Sequence, residues 1–93
     1  MQEKIEQLSA KLYINSTPHR FKKEKNSFDR GYMKVSFWMD ELCSEAIAKD
    51  RQILKDFDAM VEKLKRWIET MEESDYKEGM KKALRDAGLF KGA

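Results

Sequence analysis

The sequence predicts an all-α protein, a small bundle of about four helices with one long amphipathic helix or helix pair over residues 28–73. Three observations lead there. Apolar residues recur at spacings of three and four along most of the chain, the period of a helix face. From Cys43 to Met71 the recurrence sharpens into a heptad. The composition, 41% hydrophobic and 39% charged, suits helices with mostly wet faces. Five Phe, three Tyr and two Trp make the chain too aromatic to read as disordered.

The first helix rests on Met1, Ile5, Leu8 and Leu12, which share one face, and it is expected to span residues 2–13. Asn15-Ser16-Thr17-Pro18 should end it, because proline cannot donate to a helix and biases its predecessor toward extended geometry. A basic loop is expected over about residues 15–27, since His19–Lys25 contains a single apolar residue, Phe21. Asn26 and Ser27 are good caps for the next helix, with Asp29 well placed in its first turn.

Residues 28–39 read two ways. As helix, Phe28, Tyr32, Val35, Met39, Leu42 and Ala46 form one continuous stripe. As strand, Met33, Val35, Phe37 and Met39 alternate with their neighbours, giving an α+β alternative with a short hairpin of residues 11–14 and 32–38. Gly31 costs a helix roughly 1 kcal/mol. The helical stripe is longer and runs unbroken into the next segment, so helix is preferred.

Ile47, Leu54, Val61 and Ile68 then lie seven apart, with Phe57, Leu64 and Met71 three residues after the last three. These are the a and d positions of a heptad, with Asp50 the polar intruder at d. Ala46, Ile53, Met60 and Trp67 add a third apolar column at g, wider than a two-stranded zipper needs. One helix over 28–73 would be about 69 Å long. A compact chain of this length is only about 30 Å across. Either the helix breaks at Ala48–Gln52, with Asp50 as a cap, or it stays continuous inside a homodimer. The last helix should start at Asp75, capped in a box with Glu78, and stop at Gly88 in a Schellman motif closed by Leu89 on Leu84. Phe90 is expected to tuck into the body, and 91–93 to form a loose tail, all within one domain of residues 1–93.

Charge is uneven: residues 11–34 carry +5 and residues 35–75 carry −5, in a chain of net +2. No secretory leader is expected, and no apolar run exceeds three residues, as in Phe37-Trp38-Met39, so no membrane span is expected. A lone cysteine, Cys43, points to a reducing, cytoplasmic setting. It falls on the apolar seam and reads as a small buried hydrophobe.

One His and one Cys cannot supply the ligands of a zinc site, and the four glycines are scattered rather than gathered in a phosphate loop. No catalytic residue, cofactor or metal is therefore expected. Two surfaces remain. Phe37, Trp38, Met60 and Trp67 are candidates for protein contact, because these residue types favour interfaces and the apolar helix face exceeds what a short chain can bury. That leads to a non-enzymatic interaction module, self-associating as a dimer and binding a protein partner. The alternative is a small nucleic-acid-associated protein acting through Arg20, Phe21, Lys22, Lys23 and Lys25, whose cations suit phosphates while the ring suits a base.

Overall fold

The computed structural model describes residues 2–48 and 51–89. They form four helices: α1 (Gln2–Arg20), α2 (Ser27–Ile47), α3 (Arg51–Glu69) and α4 (Asp75–Asp86). The radius of gyration is 13.1 Å and the longest dimension 37 Å. No strand occurs among the described residues, so the hairpin alternative is excluded: 11–14 lie in α1 and 32–38 in α2.

α2 is the centre of the bundle. It packs most extensively against α4 and α1, and less against α3. Its stripe Tyr32, Val35, Ser36, Met39, Cys43 and Ala46 is buried at helical spacing, which decides helix over strand. The helix opens on a capping box, with Asn26 Oδ1 accepting from the Asp29 amide at 2.9 Å and Asp29 Oδ2 accepting from the Asn26 amide at 3.2 Å. It ends at Ile47, so the predicted break near 48–52 is present; Asp50 itself lies outside the described residues.

α1 corrects the expected boundary. It runs through Asn15–Pro18 to Arg20 and takes in the first part of the expected basic loop, leaving 21–26 as the connection. Pro18 withholds only the amide that would reach the Ile14 carbonyl. Polar side chains hold the added turns: Asn15 Nδ2 donates to the Asp86 carbonyl at 3.1 Å, Ser16 is fully buried, and His19 bonds Asp29. The buried face Ile5, Leu8, Leu12 thus continues as Ser16 and His19, which apolar periodicity cannot reveal.

α4 also starts differently from expectation. Its N-cap is Ser74, whose Oγ accepts from the Lys77 amide at 3.1 Å, not Asp75. Ser74 has the extended backbone a cap requires, which moves Asp75 and Glu78 into the first turn. The C-terminus is the expected Schellman motif: Gly88 sits at φ 74°, Leu89 N–H donates to the Leu84 carbonyl and Gly88 N–H to that of Arg85. The readings for Phe90 and for 91–93 fall outside the described residues.

α3 stops at Glu69, four residues short of the expected end. Buried Lys77 accounts for this. Its Nζ donates to the carbonyls of Glu69 and Met71 and to Glu73 Oε1, placing a cation at the C-terminus of α3.

Candidate interaction surfaces

The heptad of α3 divides by burial. Val61 and Ile68 at a, and Phe57 at d, are buried, with Leu54 and Leu64 half-buried. The g column divides: Ala46 is buried and Ile53 packs half-buried against the core, whereas Met60 is 38% exposed and Trp67 46% exposed. α3 therefore docks through its a and d seam and leaves Met60 and Trp67 facing outward.

Across from that column stands Trp38 of α2. The Trp38 and Trp67 rings lie 5.1 Å apart at 50°, a tilted pair of the kind aromatic quadrupoles favour. Together with Met60, Lys63 and Leu64 they line an open groove of about 410 Å³. Lys34 Nζ lies 5.1 Å from the centre of the Trp38 ring, a cation–π contact at the rim. A second hollow, about 380 Å³, separates α1 from α3 and the end of α4, floored by Ile5, Leu8, Phe57 and Leu89.

Three of the four residues predicted for protein contact, Trp38, Met60 and Trp67, thus meet in one groove. Phe37 does not join them. One position along α2 turns a side chain by about 100°. Phe37 accordingly faces α1, 46% exposed, with the Arg20 guanidinium 5.0 Å from its ring centre. The same guanidinium lies 4.8 Å from the ring of Tyr13, which is 54% exposed. Sequence reasoning missed Tyr13; the available signal was its spacing of seven from Arg20, two turns along one helix face.

The basic cluster is largely committed to the fold. Lys22 Nζ lies 3.1 Å from Asp29 Oδ2, and Lys25 Nζ donates to the Lys22 carbonyl. Arg20 donates to Ser16 Oγ. Lys23 and Phe21 project from the loop, Phe21 71% exposed. His19, expected in a lysine-rich loop, instead donates from Nδ1 to Asp29 Oδ1 at 2.7 Å and stacks on Tyr32 at 4.0 Å. Those contacts join the end of α1 to the start of α2.

Asp29 is buried, and the hydrogen bond from His19, together with Lys22 and the Asn26 amide, lowers its pKa to about 2 against the opposing effect of burial. Tyr32 donates to Asp86 Oδ2 at 2.6 Å; burial, and then Asp86, raise the phenol above its usual range. For Asp86, burial acts upward, but Tyr32, Lys82 and Arg85 outweigh it and lower the carboxyl. Cys43 is fully buried as expected, and burial, with Asp40, pushes its thiol up to about 11.

No group of three or more His, Cys, Asp or Glu among the described residues is arranged to hold a metal ion. No helix among them is long and apolar enough to cross a membrane. No protein-family model, curated protein or solved structure matches the chain.

Proposed function

We propose that this protein is a non-enzymatic interaction module that self-associates and binds a protein partner through the groove of Trp38, Met60 and Trp67. The observation that carries this reading is the exposed pair Met60 and Trp67 in the third column of α3. Met60 and Trp67 repeat at the heptad spacing, and Trp67 stands against a second large ring, Trp38, yet the rest of the chain leaves Met60 and Trp67 exposed. A helix with three apolar columns is built to pack on more than one neighbour. Here α2 takes one side, and a second chain supplies the other. Tryptophan and methionine are also residue types that carry binding energy at interfaces.

The non-enzymatic part draws support from the two residues best suited to catalysis. The Cys43 thiol is buried and held protonated, and the His19 ring is committed to Asp29 and Tyr32. A reducing, cytoplasmic setting is consistent with a buried free thiol.

Light scattering coupled to size-exclusion chromatography at micromolar concentration tests the reading. The expected species has twice the 11.0 kDa mass of the chain. Trp67→Ala and Met60→Lys should shift it to monomer with helix content kept, because neither side chain is needed in the core; a central tryptophan is worth about 2 kcal/mol or more. A wild-type chain that stays at 11.0 kDa up to high micromolar concentration overturns self-association.

A further inference from the structure

We propose that Tyr13 and Phe37, with Arg20 held between them, form a stacking platform for single-stranded nucleic acid, separate from the α2–α3 groove. Three independent features of the surface carry this.

The first is the rings. Tyr13 and Phe37 come from different helices, each is about half exposed, and Phe21 projects nearby at 71% exposure. Single-stranded nucleic acid binds proteins by laying bases on such rings, and every base has a π-face to offer.

The second is the state of Arg20. Its guanidinium is 4.8 Å and 5.0 Å from the two ring centres and donates to Ser16 Oγ. Its Nε is buried without a hydrogen-bond partner. No carboxylate among the described residues lies within ion-pair distance of it. The charge rests against π-faces and stays available to an anion from outside.

The third is the flanking charge. Arg30 precedes Phe37 by two turns on the same strip of α2, about 10 Å along the axis. Lys23 extends from the adjoining loop, and neither cation has a carboxylate partner among the described residues. Asp40, which accepts from Ser9, and Glu41 stand beyond Phe37 at the other end. The phosphates are thereby confined to the end formed by α1, the loop and the start of α2. An acidic peptide would satisfy the cations and could bury scattered apolar groups against the rings, but only nucleic acid offers a flat π-face on every unit beside each negative charge, which is why it is the favoured ligand.

This moves the nucleic-acid contact away from Lys22 and Lys25, which serve the fold, and onto a pair of rings. Arg20 and Lys23, with Phe21 beside them, belong to both sets.

Fluorescence anisotropy with a short labelled oligo(dT) at about 50 mM salt tests the proposal. Binding is expected to weaken with salt at a logarithmic slope of about 2, as for three cations on a single strand. Tyr13→Ala and Phe37→Ala should each reduce affinity about tenfold. Tyr13→Leu and Phe37→Leu keep the bulk and remove the π-face, so they give the same readout should an alanine variant unfold. Trp67→Ala should bind like wild type, which separates this site from the groove. Absence of binding in low salt overturns the proposal. So does binding that both leucine variants leave unchanged, or equal competition by an acidic peptide of matched charge.

Discussion

Asp29 caps α2, accepts from His19 at the end of α1 and pairs with Lys22 in the loop between them. Three backbone segments therefore depend on one carboxylate being ionised. Its pKa is lowered from 3.8 to about 2 on folding. A folded-state pKa below the unfolded value means the stabilisation is complete above the unfolded value and is lost as pH falls through the folded one. We expect thermal stability to drop progressively below about pH 4, and Asp29→Asn to reduce that dependence, with Asp86 and Glu73 carrying the remainder, while lowering the melting temperature at pH 7 by several degrees. Equal acid slopes for wild type and variant would show that other carboxylates govern acid unfolding. Melting curves by circular dichroism between pH 2 and pH 7 supply the comparison.

At the scale of elements, the decisive contact is the crossing of α2 and α4. Gly31 and Gly79 meet the partner helix reciprocally: a Cβ at Gly31 would collide with the Tyr76 carbonyl, and one at Gly79 with that of Phe28. The obstruction in each case is backbone, which cannot swing aside as a flexible side chain can. In an ordinary helix, Gly→Ala stabilises by up to about 1 kcal/mol. Here the sign should reverse. Gly31→Ala and Gly79→Ala are each expected to destabilise by about 2 kcal/mol or more, the range for overpacking a fixed contact. Denaturant melts decide it, and an alanine variant as stable as wild type would refute the close crossing. Gly31 weakens the helical reading of 28–39 on propensity alone; the crossing explains why it is there. The same logic covers α1, where Asn15, Ser16 and His19 hold the last two turns, which no apolar stripe announces.

At the scale of the whole molecule, α3 is the outlying element. α1 and α4 both pack extensively on α2, whereas α3 touches α2 through one seam and leaves Met60 and Trp67 outside. Helices with few buried contacts open at lower free energy than the core. Amides of α3 should therefore exchange faster than those of α2 and α4 in the Trp67→Ala variant, and slow markedly in wild type if it self-associates as proposed. Exchange of α3 as slow as α2 in the monomer would mean that the helix needs no partner, and would weaken the proposed role of the groove.

The sequence by itself determined that the chain is helical, that a seam runs through Val61 and Ile68, and that the last helix stops at Gly88, while it left a break at 48–52 and a continuous helix both open until the structure ended α2 at Ile47. These follow from periodicity and local capping, which act over a few residues and can be read in order. It also picked out Trp38, Met60 and Trp67, because surplus apolar residues on one helix stand out against their neighbours. Only the tertiary structure decided that Phe37 belongs with Tyr13 and Arg20 rather than with the tryptophans, and that Lys22 serves Asp29. Those pairings join residues from different helices or across a loop, where the angle between elements, and not spacing along the chain, sets which side chains meet. The long amphipathic segment divides into α2, which packs against α1, α3 and α4, and α3, which packs chiefly against α2 and leaves Met60 and Trp67 exposed, because contacts between helices decide which faces are covered.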